Sequence, residues 1–473
     1  MSGPGISREM PAVVDVETAV LVIGAGACGL VAALRAAHAG AEVVVVERDA
    51  SPTGSTSMSS GFIPAPATRF QHAIGVTDDT ADRFAGDLDA KTHGRVVPHL
   101  ARLASERIGP ALEWLADDHG LEWIMLDDFL YPGHSRHRMH AVPEKTGATL
   151  MARLLAAVAA AGIPVVTEAE AQTLHLGSAD TVRAVTIVRP NGARETIGCK
   201  ALVIASSGFG GNAELVGRHI PEIASGLYFG HAGNRGSALG WGEALGARVE
   251  HLSGYQGHGS LAHPHGILIS WALMMRGGVQ VNAAGERFSG ESGGYSEQAV
   301  HVLRQPGGIA WDVYDEAIHD FALGFPDYRD AVEAGAVRFA ATVSELAAII
   351  GAAEAVLSET IGSVERFRTG EAADPFGRDF TQCPALKPPY VAVRVTGALF
   401  HTQGGLMIDE TARVMREDGS AFANLFAGGG AACGVSGPDV SGYLSGNGLL
   451  TAVAFGFVAG ESAAREAAFS EGR

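Results

Sequence analysis

The chain has 473 residues, 47% of them hydrophobic and 18% charged, with 63 glycines and a net charge of −18 at pH 7. That length suits two or three domains, and that apolar content builds a large core, which excludes a disordered chain. The acidic balance, with no long Lys/Arg run, excludes a nucleic-acid partner, because phosphate binding needs a basic face. Cys28, Cys199, Cys383 and Cys433 are scattered and form no CxxC pair. A disulfide framework, a metal site and an iron–sulfur cluster are therefore not expected. Residues 1–17 lack the apolar core of a signal peptide, and the longest apolar stretch, residues 449–459, is shorter than the roughly 20 residues that cross a bilayer. The expectation is a soluble, cytoplasmic protein with no transmembrane segment.

Residues 18–23 (TAVLVI) read as a short buried strand, and residues 24–29 (GAGACG) follow at once. An Ala/Leu-rich helix over 30–38 and a second buried strand over 41–47 (AEVVVVE) complete a β–turn–α–β unit. Gly24, Gly26 and Gly29 spell GxGxxG in the context that a dinucleotide site requires. The first glycine makes the tight turn, the second lets a pyrophosphate approach the backbone, and the third lets helix and strand pack closely. The helix N-terminus offers N–H groups and a positive dipole end to the phosphates. Glu47 stands at the end of the second strand, where a carboxylate accepts the ribose hydroxyls.

A helical region over 81–118, a polar His-rich segment over 127–145, a helix over 147–162 and a strand over 164–167 come next. Strands over 182–188 and 195–198 form a hairpin around Pro190-Asn191-Gly192. A further strand over 201–205 runs into Ser206-Ser207-Gly208-Phe209-Gly210-Gly211. From 253 to 402 the chain carries more His, Trp, Tyr and Pro and reads as a separate α+β module. The tail returns to the first style, with a strand over 424–427, a Gly-rich turn and an apolar helix from Asn447. Second and third Gly-rich strand ends, at 205–211 and 427–430, fit one long buried cofactor. That selects FAD over a nicotinamide.

These segments resemble the fumarate reductase/succinate dehydrogenase flavoprotein superfamily and, within it, the 3-ketosteroid Δ1-dehydrogenases and related cyclic-ketone desaturases. The resemblance rests on the N-terminal fingerprint, on residues 54–61 (GSTSMSSG), 205–212 (ASSGFGGN), 234–246 (NRGSALGWGEALG) and 278–291 (GVQVNAAGERFSGE), and on residues 401–409 (HTQGGLMID), 425–430 (LFAGGG) and 442–449 (GYLSGNGL). It implies an α/β fold, a Rossmann-type FAD-binding domain over 1–252 and 403–473, interrupted by an α+β cap, the substrate domain, over 253–402. By resemblance the cofactor contacts are Gly24, Gly26, Gly29, Glu47, Arg48, Ser55, Thr56, Ser60, Gly61, Ser207, Gly208, Gly236, Gly429, Asn447 and Leu449. No histidine stands where covalent members attach FAD, which implies non-covalent binding. Gly430 stands where the family often has an acid or amide that holds the ribityl chain.

The same resemblance bears on the chemistry. Two arginines that hold and protonate dicarboxylates in the reductases correspond to Tyr295 and Tyr443. A third is kept as Arg276, but its acidic relay partner is Leu273. Replacing two guanidiniums by phenols suits a neutral ketone better than two carboxylates. In the ketosteroid dehydrogenases one tyrosine hydrogen-bonds the carbonyl and another removes the α-proton, while flavin N5 takes a hydride from the β-carbon. That implies Tyr443 as the carbonyl donor, with a backbone N–H near Asn447 or Gly448, and Tyr295 as the base. A free tyrosine has a pKa of about 10, so a base role needs tuning or a relay. Tyr131 would be a supporting phenol, and His401 matches a substrate-binding histidine. Arg136, Arg138, His134, His137 and His140 read as a solvated basic loop rather than a carboxylate site. Arg276 reads as an ion-pair partner, and Trp271 and Met274 as pocket wall.

The expected partners are a small cyclic ketone, of the cyclohexanone or 4-oxocyclohexanecarboxylate kind with a 3-ketosteroid close behind, and an external electron acceptor such as a quinone, a dye or oxygen. Two other functions stay open on the sequence. One is an ene-reductase acting on an unsaturated acid or enone. The other is a flavoprotein subunit whose partner performs the chemistry.

Overall fold

The valine- and leucine-rich runs fold as a parallel sheet buried on both faces. Val16–Ile23 lies between Val43–Val46 and Arg194–Ile204, and Ala421–Ala427 pairs with the other side of Arg194–Ile204. Val20, Leu21, Val22, Val45, Leu202, Val203 and Ile204 are fully buried, as side chains on both faces of a covered parallel sheet are. Ile23 stands opposite both Val46 and Ile204, and Ile204 stands opposite Ala427. Four parallel strands thus end level at one edge, and the turns beyond them carry the glycine-rich segments. An open α/β sheet binds its ligands at such an edge.

The computed structural model describes residues 5–471. Residues 5–219, 230–255 and 401–471 form one unit, and residues 220–229 and 256–400 form the other. The first unit holds the parallel sheet. Val165–Val166 extends it beyond Val43–Val46, while Val182–Val188 and Glu170–Leu176 extend it antiparallel on the far side. Helices Ala27–His38 and Asn447–Glu471 cross on the sheet at very short range. A β-carbon on Gly456 would stand 2.5 Å from the Cys28 carbonyl oxygen, and one on Gly460 would run into that of Ala32. Only glycine permits this backbone-to-backbone approach.

In the second unit the long central strand is formed by residues 390–400 of the strand Tyr390–Thr402. It pairs antiparallel with Ile309–Asp315 and Val337–Ala340 and parallel with Leu227–Tyr228. Helix Tyr295–Leu303 lies directly on this sheet. A β-carbon on Gly259 would stand 2.7 Å from Gln298 Cβ.

Four details differ from the sequence reading. The helical region over 81–118 is two helices, Ala81–Lys91 and Pro98–His119, because His93 and Gly94 turn to left-handed φ after the first and Pro98 starts the second. The segments 195–198 and 201–205 are one strand, Arg194–Ile204. Residues 220–229 belong with the second unit, because Leu227 and Tyr228 pair with Ala398 and Leu399. The His-rich segment contains a strand, Met139–Ala141, that pairs with both Ile63–Pro64 and Ile124–Leu126. Among the described residues no single helix is long and apolar enough to cross a membrane.

Candidate active site

The three fingerprint glycines meet three different environments. Gly24 has φ +102°, and a β-carbon there would stand 2.5 Å from the Ala205 carbonyl oxygen. At Gly29 it would collide with the Gly24 carbonyl oxygen. Above Gly26 the nearest atom is Thr56 Oγ1, at 3.8 Å. Turn and packing are therefore closed to side chains at the first and third glycines, while the second presents open backbone, as a pyrophosphate needs. Thr56 Oγ1 accepts from Ala27 N–H at 3.2 Å. Glu47 accepts from Ala25 N–H at 2.9 Å and from Asp49 N–H at 3.0 Å, so its carboxylate is held beside the fingerprint.

Other residues expected at the cofactor lie in the same unit and are tied to one another by hydrogen bonds. Ser55 Oγ accepts from Asn234 Nδ2 at 2.8 Å and from His231 N–H at 3.2 Å, and Arg48 donates to the Gly233 carbonyl at 2.8 Å. Gly61 takes φ +73° against Thr146, and Ser60 beside it is half-buried. Gly208 accepts from Gly236 N–H at 3.1 Å. Its α-carbon faces Thr402, whose Oγ1 receives the Phe209 N–H at 3.2 Å. Ser207 and Gly429 both take left-handed φ, and a β-carbon on Gly430 would press on the Gly208 nitrogen at 2.9 Å. The missing acid at position 430 thus has a steric reason: two glycine loops close on each other there. Ser206 Oγ and Asn447 Oδ1 are buried with no hydrogen-bond partner. Buried polar atoms are otherwise almost always paired, so these orphans together with the open Gly26 fit a polar cofactor such as FAD. Leu449 lies half-buried one turn into the helix that Asn447 starts.

At the start of that helix, Tyr443 is 5% exposed and His401 meets it edge to face, with ring centroids 5.6 Å apart. A β-carbon on Gly448 would stand 2.5 Å from His401 Nε2. Burial pushes the His401 imidazole down to about 4, so it is neutral at physiological pH. Its Nδ1 stands 3.0 Å from Gln403 Nε2, Gln403 Oε1 stands 2.6 Å from Ser436 Oγ, and Asn447 Nδ2 stands 2.9 Å from Ser436 Oγ. Neither Gln403 nor Ser436 was singled out by the sequence. Gln403 lies inside the HTQGG block, two residues from His401, which was the available signal. Ser436 had none.

In the second unit Tyr295 opens the helix Tyr295–Leu303 and is 9% exposed. The His258 ring stacks on it at 4.7 Å and 23°, and on Phe400 at 5.2 Å and 22°. Burial pushes His258 down to about 3, and its Nδ1 accepts from Ser260 N–H at 3.1 Å. His258 is the main residue the sequence reading missed, because a histidine between two glycines shows nothing of the aromatic stacking that the fold gives it. Beneath the helix, Gln298 donates to Gln280 at 2.8 Å and Gln280 donates to Asp312 at 2.7 Å. Ser260 also donates to Asp312, whose carboxyl burial pushes up to about 7. Trp271 and Met274 are buried, and Trp271 Nε1 donates to the Glu291 carbonyl at 3.1 Å. The Arg276 guanidinium lies over the Phe321 ring at 4.2 Å.

The basic segment is not the solvated loop expected of it. Arg138 is 1% exposed and forms ion pairs with Asp79 at 2.8 Å and Asp87 at 2.5 Å. Burial pushes His134 and His140 down to about 4, helped at His134 by the Arg138 charge. Arg136 pairs with the exposed Asp78 at 2.5 Å, and His137 is half-buried. Two aspartates from residues 79–87 draw the arginine inward, which no local pattern in 127–145 signals. Tyr131 packs against Phe129 at 4.6 Å in a small apolar cluster with Leu126, Met139 and Ala141.

A family model described as an FAD binding domain matches residues 19–449. The chain belongs to this family of FAD-binding flavoproteins. It lies within the fumarate reductase/succinate dehydrogenase superfamily, which places it among FAD-dependent oxidoreductases. The NADH:fumarate oxidoreductase of Klebsiella pneumoniae is 28% identical over 95% of this chain and 48% of its own length. The chain therefore spans about half of that relative. The 4-oxocyclohexanecarboxylate 2-dehydrogenase of Sinomonas cyclohexanicum is 27% identical over 95% of this chain and 93% of its own length. An open flavocytochrome c3 fumarate reductase matches with a TM-score of 0.80 at 26% identity, covering 96% of this chain and 79% of that one. A 3-ketosteroid-Δ4-(5α)-dehydrogenase from Rhodococcus jostii RHA1 shares the fold, with a TM-score of 0.77 at 22% identity over 98% and 99% of the two chains.

Proposed function

We propose that this flavoprotein desaturates a cyclic ketone next to its carbonyl, removing a proton from the α-carbon and a hydride from the β-carbon. The observation that carries the reading is the neutrality of the buried histidine ring beside each candidate phenol. His401 at Tyr443 and His258 at Tyr295 are pushed down to about 4 and about 3 by burial. Binding two carboxylates calls for positive charge, typically arginine, and neither phenol has a charged imidazole against it. A neutral carbonyl oxygen needs only hydrogen-bond donors. The likeness over nearly full length to a 4-oxocyclohexanecarboxylate 2-dehydrogenase supports a substrate of cyclohexanone size.

Tyr443 donates to the ketone oxygen and stabilises the negative charge that grows there, beside the positive end of the helix Asn447–Glu471. Tyr295, as its tyrosinate, takes the α-proton and becomes the neutral phenol. His401 gives a second donor to the carbonyl oxygen, or to the carboxylate of a 4-oxo acid. FAD, when bound at the Gly24–Gly26–Gly29 edge, supplies the two-electron acceptor for the hydrogen leaving the β-carbon. With no histidine among residues 54–61, the cofactor is proposed to be held without a covalent link, and acid precipitation is expected to release it. Reduction of a conjugated acid or enone is the second reading, supported by the likeness to NADH:fumarate oxidoreductase.

Anaerobic addition of cyclohexanone, 4-oxocyclohexanecarboxylate or a 3-ketosteroid is expected to bleach the flavin with one of the three. Tyr443→Phe is expected to slow that bleaching about 10²–10³-fold, the worth of one oxyanion donor. Tyr295→Phe is expected to slow it about 10²–10⁴-fold, the worth of a general base. If no ketone bleaches the flavin, but an unsaturated acid or enone reoxidises the chemically reduced protein, the direction proposed here is wrong.

A further inference from the structure

Three side chains around His401 form a chain of hydrogen bonds whose direction can be read from their lengths. The 2.6 Å contact between Ser436 Oγ and Gln403 Oε1 is short even for O–H···O, and an N–H···O bond runs about 2.9–3.0 Å. The oxygen end of the Gln403 amide therefore faces the serine, and its NH₂ end faces His401 Nδ1 at 3.0 Å. Asn447 Nδ2 donates to the same serine oxygen at 2.9 Å, which leaves the serine hydroxyl proton for Gln403. Gln403, Ser436 and Asn447 are 4%, 1% and 0% exposed, so water does not replace these partners. An Nδ1 that accepts from Gln403 carries no proton, and a neutral imidazole then bears its proton on Nε2. The Thr402 carbonyl oxygen lies 3.3 Å from the same Nδ1. It is the competing partner, which would take over with the opposite tautomer.

We propose that Gln403 and Ser436 are positioning residues that lock His401 as a permanent Nε2–H donor and so restrict the site to substrates with an oxygen acceptor. This rests on the ketone reading for the identity of that acceptor, but the tautomer itself does not depend on it. The lock removes His401 as a base at any physiological pH. It also makes the donor insensitive to pH across the working range, because the imidazole sits by burial and by the positive end of a helix where the charged form is disfavoured. The proton needed by the chemistry must then leave through a phenol.

The test is a two-bond ¹H–¹⁵N correlation spectrum of the FAD-loaded protein labelled at its histidines, which reports the protonated nitrogen of each ring. The His401 signal, one of 18, is identified as the one missing in His401→Asn. The expected pattern is Nε2–H, constant from about pH 6 to about pH 9. Gln403→Glu, which keeps the shape but puts an acceptor at Nδ1, is expected to move the proton onto Nδ1. Gln403→Met is expected to give Nδ1–H bonded to Thr402. Both should cut kcat/KM about 10- to 100-fold, the worth of one buried hydrogen bond, with the absorbance of bound flavin unchanged. An Nδ1–H pattern in the wild-type protein overturns the proposal, as does a Gln403→Glu spectrum identical to wild type. A locked Nε2–H signal in a protein whose flavin no ketone bleaches leaves the lock standing and sinks the ketone reading instead.

Discussion

Gly448→Ala separates the work of His401 from the stability of the fold. Gly448 is the second residue of a 25-residue helix, where alanine is more favourable than glycine by up to about 1 kcal/mol. An added β-carbon would stand 2.5 Å from His401 Nε2 and 2.7 Å from its Cε1. Ordinary contact begins at 3.4 Å, so the ring must retreat by about 0.9 Å. That movement strains or breaks the 3.0 Å bond to Gln403 and shifts the Nε2–H that, on the reading proposed above, meets the substrate oxygen. A misplacement of about 1 Å in a reacting group costs about 10²-fold in rate, which is about 2.7 kcal/mol. The expected variant keeps its flavin, stays folded with a melting temperature within a few degrees of wild type, because the helix gain offsets part of the overpacking, and loses about 100-fold in kcat/KM. Thermal unfolding, the flavin-to-protein absorbance ratio and anaerobic flavin reduction by the ketone measure the three. Wild-type kcat/KM would refute the reasoning, since it would mean that His401 does not touch the substrate.

Gly29→Ala places a methyl on the Gly24 carbonyl, so the turn must open, and the protein is expected to purify largely without FAD, read from its visible absorbance. Arg138→Ala leaves Asp79 and Asp87 without their buried partner and is expected to cost about 3–5 kcal/mol in urea unfolding, while a loss under 1 kcal/mol would mean that water repairs the site. Acid is expected to destabilise the fold before its carboxylates protonate. His134, His140 and His401 are pushed to about 4 and His258 to about 3 by burial. The unfolded chain, with histidines near 6.5, therefore binds more protons than the folded one below that pH. Stability from these four rings is full above about pH 6.5 and drains as pH falls toward about 4. Asp312, pushed up to about 7 by burial, works in the opposite sense across that whole window, one group against four. The urea midpoint at about pH 7.5, 6 and 5 should fall stepwise, and a flat profile refutes the burial of these rings.

Much of the first unit was legible in the sequence, because its signals are local. TAVLVI, GAGACG and AEVVVVE lie within about 30 residues, and a βαβ unit is built from neighbours in the chain. The glycine-rich strand ends at 205–211 and 427–430 were legible for the same reason. Each follows an apolar run, and a parallel strand must be followed by a turn. The His-rich segment was misread as solvated because the aspartates that bury Arg138 come from residues some fifty positions earlier. No local periodicity records an ion pair of that kind.

The sequence by itself determined the dinucleotide fingerprint and the strands that flank it. Each follows from residue type and spacing within one segment. Only the tertiary structure decided which polar groups are buried and which partners stand beside them. It brought Gln403 and Ser436 to His401, and it stacked His258 on both Tyr295 and Phe400. Protonation depends on burial and on partners distant in the chain, and those exist only once the strands and helices have packed.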